Sequence, residues 1–314
     1  MGNPIASSQF VRLLDKRLRK VFDENKFKEI QQMIPSLYNV IQGDSAFEEF
    51  FEVGALPDIP EFNGKLSYLS VSPGYYNKIE PKEYAGGVMF ERKLLDDKKY
   101  AVMDNRVAML SRSATRVMEK IGVRPFANAF SAAFDYQTSE EGVALCSSSH
   151  TTKSGTSTTS GFSNSGTTAL SKTAINATRI LMRRFRNDIS ERIDMMPDTL
   201  IVPDNLYDTA CEAVGYDPRS GANSELDPDT GQFKINTARA FKVIPYLRLD
   251  DYDTNNWFMV DSSKMKQFLL FIKRIDPEFQ MKVDFDTFTI KNSTYFRCAN
   301  GFTDWRWIYG HNVS

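Results

Sequence analysis

Histidine is almost missing from this 314-residue chain: only His150 and His311 are present. Two candidates for a base near neutral pH leave general acid–base chemistry little to work with. Cysteine is scarce as well. Cys146, Cys211 and Cys298 are an odd number with no short spacing between them. That argues against a disulfide framework or a zinc site and fits scattered, reduced thiols. No run of 18 apolar residues occurs, so no segment reads as a membrane span. The opening "MGNPIASSQFVRLLDKRLRKVF" also lacks the apolar core of a secretory signal. Charge of one sign is not in excess: 39 Lys and Arg stand against 40 Asp and Glu. A dedicated nucleic-acid binder carries a strong basic excess or patch. Nucleotide and hydrolase signatures are missing too. There is no G-x-x-x-x-G-K-[ST] loop, no dinucleotide fingerprint after a strand and no G-x-S-x-G elbow; "GFSNSG" has the wrong spacing. Asp227, Asp229 and Gly231 in "DPDTG" lack the third acidic ligand of a calcium loop and read as a turn. No cofactor or metal is expected.

What is present is a succession of α and β patterns without a fixed repeat, an α+β chain. Residues 1–52 read as an arm. Phe10, Val11, Leu14, Leu18, Val21 and Phe22 recur at helical spacing, and a second short run, "KFKEIQQMI", ends before Pro35. Two short helices without a core of their own are marginal and need something to lie against. Over residues 53–99 the text becomes extended. Asn63-Gly64 and Pro73-Gly74 mark turns, and "KLSYLSVS" and "GGVMFERKLL" read as the strands of a long hairpin projecting from the body. A lone hairpin is barely stable in water, and its edges invite pairing with another chain.

The longest helical pattern follows. Met103, Val107, Leu110, Ala114, Val117, Met118 and Ile121 form one stripe over Tyr100–Gly122, with Gly122 and Pro125 expected to end or kink it and a second helix expected from Arg124 towards Tyr136. After the polar tract "CSSSHTTKSGTSTTSGFSNSGTTAL" a further helix is predicted with Ile175, Ile180, Leu181 and Phe185 inward. "DTLIVPDNLYDTACEAVG" reads as a buried strand, a proline turn and a helix. A polar loop, "YDPRSGANSELDPDTGQFKIN", comes next. The tail reads as a hairpin turning at Asn300-Gly301, with Trp305, Trp307 and Tyr309 on one face of its last strand.

One constellation is more specific. "EEGVALCSSSH", a Gly/Ser-rich gap, and then "TALSKTAINATRILMRRFRNDISERIDMMPDTLIVPDNLYDTACEAV" resemble the major capsid proteins of tailed bacteriophages, in particular the Mu-type major head subunit group. The matching positions are Gly142, Leu145, Ser147, His150, Pro197, Leu200, Ile201, Val202 and Pro203. The closing "DWRWIYG" adds Asp304, Trp305, Arg306, Tyr309 and Gly310. Cys146 stands where that group has Phe, Thr151 where Pro often follows the His, and Asp204 where a second Pro is usual.

The resemblance implies the Hong Kong 97-type capsid fold. Its roles fall on an N-terminal arm (1–52), an extended loop (53–99) and a peripheral domain with a spine helix (100–168). An axial domain (169–279) and C-terminal strands returning to the peripheral domain (280–314) complete it. It implies a structural protein, not an enzyme, that builds an icosahedral shell from pentamers and hexamers of itself in the host cytoplasm and resides in the virion. Scaffolding, portal and decoration proteins are expected as separate partners. Packaged DNA would be enclosed without sequence-specific binding, as the neutral charge balance suits. Lys65, Tyr68, Tyr75, Tyr76 and Lys78 are the candidate intersubunit contacts in the extended loop. An encapsulin-type compartment shell is the same-fold alternative. A soluble Ser/His hydrolase using His150 is the unrelated one.

Overall fold

The computed structural model describes residues 7–26, 28, 32–215, 238, 241–284 and 286–314. In chain order the first elements are α1 (Ser7–Asn25), α2 (Ile34–Leu37), β1 (Asn39–Gln42), β2 (Glu48–Val53), β3 (Pro73–Ile79) and β4 (Lys82–Glu91). Next come α3 (Arg92–Asp96), α4 (Tyr100–Ala127), β5 (Gln137–Ser139), β6 (Ser165–Gly166) and α5 (Lys172–Met182). The chain continues through β7 (Thr199–Val202), α6 (Tyr207–Val214), β8 (Lys242–Pro245) and β9 (Trp257–Val260). It closes with α7 (Ser262–Phe268), β10 (Leu269–Val283), β11 (Thr289–Phe302) and β12 (Ile308–His311).

The apolar stripe from residue 100 onward winds into α4, and Met103, Val107, Leu110, Ala114, Met118 and Ile121 are all buried. Of the two outcomes expected at Gly122 and Pro125, an end or a kink, the helix does not end there. It continues through Pro125 to Ala127 as one 28-residue rod. Two distant groups make this affordable. Gly122 lets α2 approach, since a Cβ there would stand 2.9 Å from Ile34 Cγ1. Pro125 has no N–H for the carbonyl of Ile121 four residues earlier, and the side-chain amide of Asn300 donates to that carbonyl instead. Asn300→Leu is therefore expected to cost about 1–3 kcal/mol by leaving a buried acceptor bare. Pro125→Ala restores the helical donor and should remove most of that cost in the double variant. A thermal-unfolding double-mutant cycle measures it, and strict additivity would show that Asn300 does not replace the missing donor.

The strands form three sheets. A four-stranded sheet runs β1-β10-β11-β4, a five-stranded one β6-β12-β9-β7-β8 and a three-stranded one β2-β3-β5. The hairpin expected between residues 53 and 93 is not formed. β3 pairs with β2 and β5, whereas β4 pairs with β11 of another sheet. "KLSYLSVS" (65–72) contains no strand, and "RKLLD" is the helix α3. The long hairpin of the molecule is β10–β11, antiparallel over its whole length. Asn300-Gly301, expected as a turn, lies inside β11. Gly301 is required there by close approach, because a Cβ would stand 2.4 Å from Ile79 Cδ1 on β3. Trp305 and Trp307 precede β12 rather than lying on it. Residues 280–314 are thus shared between the four- and five-stranded sheets.

The arm helix finds its cover within the chain. Leu14, Leu18 and Phe22 of α1 are buried in one cluster with Met103, Val107 and Leu110 of α4 and Phe279 of β10. Arg17 pairs with Asp104 at 2.7 Å, and Ser111 Oγ donates to the Phe22 carbonyl at 2.8 Å. The side chains of Phe10 and Val11, and Phe27, Glu29, Ile30 and Gln31 of the expected run "KFKEIQQMI", lie outside the described residues, as does the polar loop with Asp227, Asp229 and Gly231. Pro35 sits in the first turn of α2, where a missing N–H costs nothing.

On α5 the buried set is Ala174, Ile175, Thr178 and Met182, with Phe185 just beyond the helix also buried. Ile180 and Leu181, expected inward, are 44% and 41% exposed. The buried stripe runs at i, i+1, i+4, i+8, which leaves Ile180 on the opposite side and Leu181 at the stripe's edge. β7 is buried at every residue, as its unbroken apolar run predicts, and α6 follows its proline turn.

Candidate functional site: an exposed strap and its neck

Between β2 and β3 the chain reads "GALPDIPEFNGKLSYLSVS" (54–72) and forms neither helix nor strand. Pro57 and Pro60 withhold backbone donors that a strand would need. Large apolar side chains are spaced along it without cover: Ile59 is 86% exposed, Phe62 74%, Leu66 66% and Tyr68 91%. Singly exposed apolar residues are ordinary, but a row of them on one segment marks an interaction surface.

The strap is exposed, yet its neck is tightly fixed. Val53 of β2 is paired with Pro73 of β3, which brings the two limbs together. They touch at Gly54, where a Cβ would stand 2.1 Å from the Ser72 carbonyl oxygen and 2.5 Å from Asp188 Oδ2. The Ala55 N–H donates to Asp188 Oδ1 at 2.8 Å, and Ser154 Oγ donates to the Asp188 carbonyl at 2.5 Å. On the other side, Arg306 Nη1 donates to Glu52 Oε1 at 2.7 Å and to Asp304 Oδ2 at 3.0 Å. Its Nε donates to the Arg186 carbonyl at 2.9 Å. The Arg306 side chain is only 8% exposed. Burial by itself would lower its pKa, but the charges of Asp304 and Glu52 outweigh burial and raise it. For Glu52, burial and then the charge of Asp304 raise the pKa, with Arg306 opposing.

The Ser/Thr-rich tract is part of this neck. Thr151 Oγ1 lies 2.8 Å from Tyr75 Oη, and Lys153 Nζ pairs with Glu140 at 2.7 Å. His150 is buried with its ring stacked on Trp305, centroids 4.0 Å apart. Its Nδ1 faces Glu141 Oε1 at 3.2 Å and its Nε2 faces Asn164 Oδ1 at 3.0 Å. The Asn164 amide is held by donating to the Leu145 and Ile308 carbonyls. Both ring nitrogens of His150 therefore face partners within the chain.

Of the five candidate contacts, Lys65 and Tyr68 lie on the strap. Tyr75, Tyr76 and Lys78 lie on β3 and are engaged within the chain. Tyr76 Oη donates to Glu49 at 2.6 Å, and Lys78 Nζ sits 4.0 Å above the Phe47 ring. Gly54, Ser154 and Asp188, which fasten the neck, carry no local signal in the sequence. Among the described residues no group of His, Cys, Asp and Glu could hold a metal ion, and no helix is long and apolar enough to cross a membrane.

A family model described as phage capsid protein matches residues 76–310, from β3 to β12. The strap lies just before the matched span. No curated protein matches the chain. Solved structures of similar fold include one from Microbacterium phage Oxtober96, at 12% identity and TM-score 0.54, covering 92% of this chain and 95% of that one. The bacteriophage PhiM1 mature capsid is similar at 10% identity and TM-score 0.57, covering 91% and 88%. The capsid of Myoviridae phage XM1 is similar at 11% identity and TM-score 0.52, covering the whole of both chains.

Proposed function

Because the chain belongs to the phage capsid protein family and is a structural subunit of the major capsid shell, we propose that its strap carries shell cohesion. Each copy lays residues 54–72 across a neighbour, and pentamers and hexamers close into an icosahedral particle. The five-stranded sheet with α5 and α6 takes the axial role, and the four-stranded sheet with α1 and α4 the peripheral one. Within the family the reading includes the Mu-type group, and the resemblance of the segments around His150, Pro197–Pro203 and Asp304–Gly310 supports it. Assembly takes place in the host cytoplasm, with separate scaffolding, portal and decoration proteins.

The observation that carries the strap's role is its row of uncovered apolar side chains on a fixed neck. Each such side chain contributes roughly 1.5–3 kcal/mol when fully buried. The neck has already removed part of the ordering cost that binding would otherwise incur. The test is to replace residues 56–70 with a short Gly/Ser turn, leaving β2, β3 and Gly54 in place. The variant should keep the wild-type melting temperature yet give only small oligomers by size exclusion and negative-stain microscopy. Normal shells from the shortened chain would end this reading.

A further inference from the structure

The five-stranded sheet carries two helices of opposite charge over its two halves. α5 lies against β12 and β9, and α6 lies against β7 and β8. Residues 172–184 contain Lys172, Arg179, Arg183 and Arg184 and no acidic residue. Residues 204–214 contain Asp204, Asp208 and Glu212 and no basic one. Asp208 and Glu212 stand four residues apart on one side of α6, Asp204 lies in the 3-10 turn just before it, and all three are exposed. Arg183 and Arg184 are exposed as well, beside the uncovered Ile180 and Leu181.

Among the described residues no carboxylate pairs with Arg179, Arg183 or Arg184, and no cation pairs with Asp204, Asp208 or Glu212. Arg17, Arg124 and Arg306, by contrast, all have carboxylate partners. Arg179 Nε is buried without any hydrogen-bond partner. Helix dipoles account for part of the pattern, since arginines suit the end of α5 and Asp208 the start of α6. Glu212 does not fit that account: it lies in the last turn of α6, where the dipole is negative.

We propose that the arginine side of α5 docks against the carboxylate side of α6 in the next copy of the chain. The inference rests on the capsid reading above and names the contact within one ring. A basic flank and an acidic flank over the two halves of one sheet can meet head to tail from copy to copy. Head-to-tail contacts close into rings when the rotation between copies closes. Ile180 and Leu181 supply apolar area between the arginines, a mixture typical of protein interfaces and unlike a phosphate-binding face. The charges set register and encounter rate, so the contact should weaken as salt shortens the screening length below about 8 Å.

Charge reversal tests it. Arg183→Glu with Arg184→Glu should abolish rings, and Asp208→Arg with Glu212→Arg should do the same, each with an unchanged melting temperature. All four substitutions in one chain should restore assembly. The milder Asp208→Asn with Glu212→Gln should raise the protein concentration needed for assembly on the order of tenfold or more, a loss of one or two such charge contacts. Mixing the two reversed proteins gives a sharper readout. Each then binds only the other, so alternating hexamers form while odd-membered rings do not. If the wild type itself forms no rings, the capsid reading fails. If the wild type assembles and the reversals have no effect, or the quadruple variant is not rescued, the proposed contact fails. Loss confined to the arginine variant, accompanied by lost DNA retention in a gel shift, would assign the stripe to nucleic acid and overturn the contact.

Discussion

Arg306→Ala is expected to cost the folded subunit about 3–5 kcal/mol, the largest effect of any single substitution considered for this chain. The reason is what remains after the guanidinium is gone. Glu52 and Asp304 converge on Arg306 in a site where the three side chains are 23%, 12% and 8% exposed. Without the cation, two carboxylates face each other in a poorly solvated space, and the Arg186 carbonyl loses its donor. A chain of this size loses about 2–4 °C in melting temperature per kcal/mol, so a drop of about 10 °C is expected. Arg306→Lys keeps the charge but not the fork that reaches three acceptors, and should fall between.

The pH dependence separates this account from a mere packing defect. Glu52 already has a raised pKa, from burial first and Asp304 second. Removing Arg306 takes away the opposing contribution and raises it further. A carboxyl that holds its proton more tightly folded than unfolded gains stability as pH falls through its folded pKa. The alanine variant should therefore recover part of its deficit on acidification, as measured by urea unfolding at two pH values. A deficit under about 1 kcal/mol, or one independent of pH, would show that the pair of carboxylates relaxes into water. Because Glu52 is the last charged residue before the strap, the variant should also misplace the strap and lose shells before it loses fold.

How far the sequence speaks for this fold depends on the range of the interaction. The α4 stripe, the fully buried β7 and the turn into α6 are written locally, and the structure has them. Signals that depend on distant partners mislead. Pro125 reads as a helix stop because its replacement donor, Asn300, is 175 residues away along the chain. Gly301 reads as a turn because the constraint on it is Ile79 of another sheet. "KLSYLSVS" has strand-like alternation, yet Pro57 and Pro60 before it and the lack of any partner strand leave it unpaired. The strap is legible as a segment unable to stand alone. Its neck is not, since Gly54, Ser154 and Asp188 meet only after folding. Arg306 was legible through the closing "DWRWIYG" motif, but its partner Glu52 was not.

His311 supplies the second large effect, and it appears in acid. Its Nδ1 accepts from the Thr168 N–H at 3.2 Å, which fixes the proton of the neutral ring on Nε2. That nitrogen lies 2.8 Å from Thr178 Oγ1, whose hydroxyl is 2.8 Å from the Ala174 carbonyl of α5. The ring stacks on Trp257 of the neighbouring strand, centroids 4.2 Å apart. A second proton would have to enter at Nδ1 against an N–H already aimed there, and burial lowers the pKa to about 4. Above pH 6.5 the ring is neutral folded and unfolded, and contributes nothing to the pH dependence. Between pH 6.5 and 4 the unfolded chain binds a proton that the folded chain refuses, so stability falls with falling pH. Integrated over that window the loss is about 3 kcal/mol. His311→Gln should be less stable than wild type at pH 7.5 but should show a shallower decline to pH 4.5. Slopes from all other groups are common to both proteins and cancel in the comparison. Parallel declines would mean that His311 is not the group that titrates. The strained element would be β12, which joins β6 to the rest of the five-stranded sheet and lies under α5. Acid should thus loosen the arginine-bearing flank of that sheet while α1 and α4, held by Leu14, Leu18 and Phe22, stay packed. Amide hydrogen exchange at pH 4.5 would then quicken in α5 and β12 before α4.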